Sequence, residues 1–281
     1  MVSTGPARRA VTSMRVCVVD GDRAVERPDK VVTEEPMEIR LHGPGQQPEA
    51  FAVTMRTPGH DFELAVGFCV TEGLLHDFAD LDTVAYCLAG EGEQEYNVVT
   101  VKLRRVVDRA GPARPMVVNS SCGLCGKTSL DEIAQRCSPV GTGLSVARAV
   151  IAELPDRLRA AQVVFDATGG LHAAARFTAD GELVAVREDV GRHNALDKLI
   201  GHAFLEQQLP LAHDVLMVSG RVSFEIVQKA AMAGIPMICA VSAPSSLAVE
   251  AAQRFGQTLV GFVRGDTANV YTHPERVELK R

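Results

Sequence analysis

The chain has no tryptophan and only three tyrosines among its 281 residues. Aromatic residues make up 5% of it, too few for the stacking platforms on which proteins hold single-stranded nucleic acid. Positive charge is not in surplus either: 29 Lys and Arg stand against 35 Asp and Glu, a formal net charge of -6. Neither nucleic acid nor an anionic membrane is therefore an expected partner, although a local anion site is not excluded. No apolar run approaches the roughly 18 residues a membrane helix needs. The first thirteen residues carry Arg8 and Arg9 but no apolar stretch, so no secretory signal is expected. The seven cysteines are an odd number, and Cys17, Cys69 and Cys239 sit inside apolar runs. That pattern predicts buried free thiols in a reducing compartment, and hence a cytoplasmic location.

Turn signals cut the first half into short β-like runs at residues 15–19, 31–41, 51–55, 84–88, 97–103 and 115–118. Residues 1–13 read as a disordered arm, and 20–22 and 27–29 as turns. Residues 61–74 read as a helix whose apolar face carries Phe62, Leu64, Ala65, Phe68, Cys69 and Leu75, with Gly73 at its end. The expectation is a mostly antiparallel α+β subdomain over residues 14–118, then a cysteine-bearing loop at 119–128. Past the loop come a helix at 145–158 interrupted at Pro155, a strand at 163–165, and a hairpin of 174–177 with 183–186. A helix at 193–204, strand 215–218, helix 222–233, strand 237–241, helix 246–255 and strand 258–263 follow. This alternation predicts βαβ units and a mainly parallel sheet over residues 129–281, and an α/β class for the whole. In such sheets ligands gather at the carboxyl ends of strands.

Chemistry is densest in residues 119–127, Asn-Ser-Ser-Cys-Gly-Leu-Cys-Gly-Lys. A pair such as Cys122 and Cys125 can bind a soft metal, form a disulfide or carry sulfur. Structural zinc needs two more ligands, and the chain has no second Cys-x-x-Cys, so no metal site is predicted. A thioredoxin-like pair wants its first thiol at a helix start. Here Ser129 and Glu132 form a capping box, which starts the helix after the cysteines. A glycine-flexible loop suits sulfur carriage better, with Lys127 and backbone N–H groups favouring the thiolate.

Further polar clusters fall where strands hand over to helices. Gly169 and Gly170 follow the strand expected at 163–165, so their N–H groups are candidates to approach an anion, and His172 beside three alanines reads as structural. The zinc deaminase signature requires a glutamate two residues past its histidine; here that place holds Ala174, so no deaminase activity is expected. Arg192 and His193, after Gly191, open a helix and form a candidate phosphate site, with capping by Asp189 or Asn194 as the plainer account. Ser219, Gly220 and Arg221, and the run Ser242 to Ser246, lie at two more helix starts, where Ser245 or Ser246 can act as an ordinary N-cap. Asp266, after the last strand, could pair with a guanine edge. Three such termini along one edge suggest an extended, phosphorylated, nucleotide-like ligand.

Taken together, the motifs resemble the FdhD family, the accessory sulfurtransferases of formate dehydrogenase. They are Glu35-Pro36, Arg56-Thr57-Pro58-Gly59, Glu63-Leu64-Ala65-Val66-Gly67-Phe68, Ser121-Cys122-Gly123-Leu124-Cys125, Thr168-Gly169-Gly170-Leu171-His172, the block from Glu188 to Lys198, and Ser219 to Glu225. The resemblance runs from about Thr33 to the C-terminus; His42 departs from the family's usual Asn at a surface turn. It implies a cytidine-deaminase-like, three-layer C-terminal part without deaminase chemistry, and a homodimer. It implies that sulfur from a cysteine desulfurase passes to the molybdenum (or tungsten) bis-guanine-dinucleotide cofactor before that cofactor enters formate dehydrogenase. Guanosine diphosphate is then a soluble mimic of the recipient. Carried over by position, Cys122 is the persulfide carrier and Cys125 its helper. Phe262, Val263, Arg264, Gly265, Asp266 and Thr267 form the cofactor-contacting segment. The competing readings are a cofactor-binding chaperone without catalysis and a zinc-binding regulator.

Overall fold

The computed structural model describes residues 9–87, 96–107, 116–118, 140–141 and 143–279. The chain opens with a two-stranded ribbon, β1 (Val11–Asp20) and β2 (Arg23–Val32), in antiparallel register from Val11↔Val32 to Asp20↔Arg23. Gly21, at φ +56°, supplies the left-handed residue of the two-residue turn. Residues 11–13, expected in a loose arm, belong to β1, and residues 27–29, expected as a turn, lie inside β2. Pro28 is tolerated because a two-stranded ribbon always has an open edge to receive a residue without an N–H. Cys17 is exposed on this ribbon rather than buried, whereas Cys69 and Cys239 are buried as expected.

A five-stranded sheet follows, built from β3 (Glu35–His42), β4 (Glu49–Arg56), β5 (Leu81–Tyr86), β6 (Val98–Leu103) and β7 (Met116–Val118) in the order β5-β6-β3-β4-β7. It is mixed rather than mostly antiparallel: β3–β6 and β4–β7 run parallel, β3–β4 and β5–β6 antiparallel. Helix α1 (Asp61–Thr71) crosses between β4 and β5 and ends ahead of Gly73 at φ +74°.

The second sheet has six strands: β9 (His172–Phe177), β10 (Leu183–Asp189), β11 (Val215–Val218), β12 (Met237–Ala240), β13 (Thr258–Arg264) and β14 (Thr267–Thr272). Their order is β10-β9-β11-β12-β13-β14, and only β11–β12–β13 is parallel. The expected parallel sheet is therefore a parallel centre with antiparallel flanks. A short pair, β8 (Val146–Ala147) with β15 (Val277–Glu278), ties the C-terminus back to the start of α2 (Arg148–Ala161). The remaining α-helices among the described residues are α3 (Val163–Thr168), α4 (Arg192–Leu205), α5 (Phe224–Met232) and α6 (Ser246–Phe255).

Strand alternation splits the large sheet's faces cleanly. Val215, Met217, Met237, Cys239, Val260 and Val263 pack with Ile151, Leu154 and Leu158 of α2 on one side. Leu216, Val218, Ile238, Ala240 and Leu259 pack with α4, α5 and α6 on the other, giving three layers. That second core continues through α1 into Met37, Ile39, Val99 and Val101 of the first sheet, so both sheets share one helical layer.

Two local expectations fail for identifiable reasons. Helix α2 runs through Pro155, because its stripe of Ile151, Leu154 and Leu158 is buried on both sides of it. That packing offsets the roughly 3 kcal/mol a helix-interior proline costs. Residues 163–165, read as a strand, open α3 instead: the Glu188 carboxylate accepts from the backbone N–H of Val164 (2.9 Å) and Phe165 (2.8 Å). A cap supplied from another element overrides the β preference of a Val-Val-Phe run.

Candidate functional site

The carboxyl ends of β11, β12 and β13 share one edge of the large sheet with the start of β9 and the end of β10. The loops leaving these strands are joined by backbone hydrogen bonds. Val222 N donates to Ala243 O (3.2 Å), Ser245 N to Val222 O (3.0 Å), and Phe262 N to Ser242 O (3.2 Å). Loops after three successive strands thus form one continuous rim.

At its centre stands the start of α4, and the motif from Glu188 to Lys198 divides into framework and surface residues. Asp189 and Lys198 are fully buried and paired at 2.7 Å. Asp189 also accepts from Gly191 N (2.8 Å), Asn194 Nδ2 (3.0 Å) and Thr57 N (3.0 Å). Asn194 Nδ2 donates to Met55 O (2.7 Å), and Lys198 Nζ to Thr57 O (2.9 Å). These residues bolt α4 to the end of β4. Gly191 is the N-cap residue, with no side-chain cap.

The neighbours face the edge. His193 Nε2 meets Glu225 Oε2 at 2.7 Å and Ser223 Oγ at 3.2 Å. Both contacts use one ring nitrogen, so the three do not form a relay that could activate the serine hydroxyl. Burial, followed by the electrostatic effects of Arg192 and His193, lowers the His172 pKa; Asp189 opposes this, and Arg221 adds a smaller lowering effect. Its imidazole is therefore neutral at pH 7. Gly220 permits this crowding: a Cβ there would lie 3.2 Å from His172 Nδ1 and 3.9 Å from Arg192 Cδ. Two atoms are conspicuous. Arg192 Nε and Glu225 Oε1 are buried without a hydrogen-bond partner among the described residues.

The other expected contacts are distributed unevenly. Arg221 is exposed on the rim. Ser219 Oγ accepts from Ala173 N (2.8 Å), so this hydroxyl holds β9 to β11. Ser245 is a plain N-cap, accepting from Ala248 N at 3.2 Å. Gly169 and Gly170 do not follow a strand. Gly169 ends α3 at φ +68° and its N–H is bonded to Phe165 O (2.7 Å), while Gly170 lies against Val32. The proposed anion approach there loses its basis, because a helix C-terminus presents carbonyls.

The segment Phe262 to Thr267 forms the bulged end of the β13–β14 hairpin. Phe262 has φ +52°, an uncommon left-handed conformation for a bulky residue. The Arg264 guanidinium lies 5.7 Å from the Phe262 ring centre. Val263 is buried in the α2-side core, so its side chain does not face the rim. Gly265 turns the hairpin at φ +52°, and the Asp266 carboxylate pairs with Arg148 at 2.9 Å. Thr267 Oγ1 donates to Arg264 O (3.0 Å).

Cys122, Cys125 and the capping box of Ser129 and Glu132 lie outside the described residues. The strand leading toward them is described: β7 ends at Val118, paired with Thr54. Thr54 Oγ1 in turn bonds Asn194 Oδ1 at 3.2 Å, two residues past Arg192. Among the other thiols, burial pushes Cys69 upward and Cys239 up to about 12, so neither is a nucleophile near neutrality. Sequence reasoning took Glu225 only as the end of the Ser219 to Glu225 motif and gave it no role. It stands in the first turn of a helix, ordinarily a solvated place for an acid, and nothing in the pattern signals its burial.

The profile of the FdhD/NarQ family matches residues 32–278. The chain belongs to this family. Similar members include the sulfur carrier protein FdhD of Streptomyces coelicolor, 53% identical over 96% of this chain and 97% of that one. The FdhD sulfur carrier of Saccharolobus solfataricus is 43% identical over 92% and 95% respectively. A crystal structure from Desulfotalea psychrophila, assigned as a formate dehydrogenase accessory protein, superposes with a TM-score of 0.75 at 22% identity. It covers 96% of this chain and 100% of its own, so the fold is shared along the whole length. No helix among the described residues of this FdhD/NarQ member is long and apolar enough to cross a membrane.

Proposed function

We propose that this protein is a sulfur carrier that accepts a persulfide sulfur on Cys122 and delivers it to a molybdenum (or tungsten) bis-guanine-dinucleotide substrate destined for formate dehydrogenase. The observation that carries the reading is the near-full-length match to relatives named as sulfur carriers. Two structural features support it. The rim gathers Arg192, Arg221 and the starts of three helices, which suits phosphates. The strand before the cysteine loop pairs with Thr54, which bonds Asn194 in the first turn of α4, and the four residues from Val118 to Cys122 span at most about 14 Å.

In the first step the Cys122 thiolate attacks the outer sulfur of a cysteine desulfurase persulfide. A new S–S bond forms on Cys122, the old one breaks, and the desulfurase leaves as a thiolate. In the second step the Cys125 thiolate attacks the inner sulfur and expels sulfide toward the substrate held at the rim. The resulting Cys122–Cys125 disulfide is reopened by a thiol reductant. A homodimer in the cytoplasm is the expected working form.

Mass spectrometry after incubation with desulfurase and cysteine tests the carrier step. A mass gain of one sulfur is expected on the Cys122 peptide and none in Cys122→Ala; an unmodified Cys122 peptide would overturn the assignment. A cofactor-binding chaperone whose cysteines only dock the desulfurase predicts instead that Cys122→Ala keeps most maturation activity.

A further inference from the structure

Glu225 is 8% exposed, and its two carboxylate oxygens are in different situations. Oε2 is held by His193 at 2.7 Å, whereas Oε1 has no partner among the described residues. Leaving a buried charged acceptor unsatisfied is costly, so the site calls for a donor from outside the described residues. Burial raises the Glu225 pKa, but the His193 hydrogen bond and the charges of His193, Lys229 and Arg192 bring it below its ordinary 4.5. The carboxylate is therefore ionised near neutrality and repels phosphate. Arg192 Nε is its complement, a buried donor without an acceptor, packed beside Gly220. One unpaired acceptor and one unpaired donor on the same rim match a ligand with a neutral donor at one end and an anion at the other.

We propose that Glu225 is a specificity-determining residue for the nucleotide: its Oε1 accepts a hydrogen bond from a nucleoside donor, while Arg192 Nε donates to an acceptor on the diphosphate side. His193 acts as a positioning residue, holding the carboxylate through Oε2 so that Oε1 faces the ligand. This rests on the rim being the nucleotide-binding half of the carrier. The nucleoside offers its donor from two sources, the N–H edge of a guanine or the ribose hydroxyls, and adenine lacks the guanine N1–H.

Calorimetric titration of the full chain with guanosine diphosphate, adenosine diphosphate and 2′,3′-dideoxyguanosine diphosphate tests this. Wild type is expected to bind guanosine diphosphate, and Glu225→Gln, isosteric and still able to accept from His193, to bind it roughly ten-fold or more weakly. If the donor is the base edge, the loss recurs with the dideoxy compound and is absent with adenosine diphosphate. If the donor is the ribose, the loss recurs with adenosine diphosphate and is absent with the dideoxy compound. Either pattern supports the role of Glu225; an unchanged affinity, or one equal loss across all three, overturns it. Arg192→Lys keeps the charge but loses the Nε–H, so it should weaken all three alike and leave their ratios intact; altered ratios would count against the division of labour. Wild type failing to bind any of the three overturns both this role and the nucleotide half of the functional reading. Sulfur loading of Cys122, measured without nucleotide, would still stand.

Discussion

At the residue scale, the motif from Glu188 to Lys198 performs two jobs with interleaved side chains. Asp189, Asn194 and Lys198 point into the protein and hold α4 against β4; Arg192 and His193 point to the rim. The arrangement makes the rim only as rigid as the buried pair. Among the described residues, Asp189 has three N–H donors besides Lys198, whereas Lys198 otherwise meets only the carbonyls of Thr57 and Glu188. Removing the anion therefore strands a buried cation and harms more than removing the cation. Asp189→Ala is expected to cost about 3–5 kcal/mol in urea unfolding, and Lys198→Met distinctly less, since its apolar stem can fill the same space. Equal losses would mean that the pair contributes by packing alone.

At the element scale, the shared helical layer depends on two glycines. A Cβ on Gly67 of α1 would sit 1.8 Å from Asp197 O, and one on Gly201 of α4 would sit 1.8 Å from Glu63 O. Backbone meets backbone at this crossing, so neither neighbour can yield by a rotamer change. Gly201→Ala should lower stability by about 1–3 kcal/mol or more, seen as a lower thermal midpoint, and should weaken nucleotide binding because α4 carries Arg192. A midpoint equal to wild type would refute the tight crossing. This contact was not legible beforehand, since a helix glycine reads only as a weak spot. The apolar strands and amphipathic helices of the second half were legible, because burial on both sheet faces imposes runs such as Val215 to Val218. Strand β14 was not, its residues being exposed except Thr272. Direction was misjudged in part: the β9–β10 hairpin stands as expected, but β9 runs antiparallel to β11 and β14 antiparallel to β13, so only the centre of the sheet is parallel. Of the candidate site, Arg192, His193 and Gly220 meet at one sheet edge, whereas Val263 faces the core and Asp266 pairs with Arg148. Gly169–Gly170 failed because a distant carboxylate capped α3, and Glu225 was invisible because its significance lies in an oxygen left unpaired.

At the scale of the whole molecule, the first sheet with α1 must stay registered on the second, since the strand leading to the cysteines belongs to one and the rim to the other. Glu63 is the charged tie between them. From α1 it reaches Arg187 of β10 (2.7 Å, Oε1 to Nη2), His202 of α4 (3.3 Å) and His60 (3.1 Å). Burial alone would raise its pKa; hydrogen bonds to Arg187 and His60 and their charges outweigh that and carry it from 4.5 down to about 2. A carboxyl whose folded pKa lies below its unfolded one stabilises the fold above the unfolded pKa and loses that contribution as pH falls toward the folded one. The tie is therefore complete above about pH 4.5 and disappears on approach to pH 2, a span corresponding to about 3 kcal/mol. Glu63→Gln should lower stability at pH 7 by up to that amount and flatten the stability profile between pH 4.5 and 2, where wild type falls steeply. Parallel wild-type and variant curves through that window, from chemical denaturation at stepped pH, would show that the sheets are held together by the glycine crossing and the shared core without this charge.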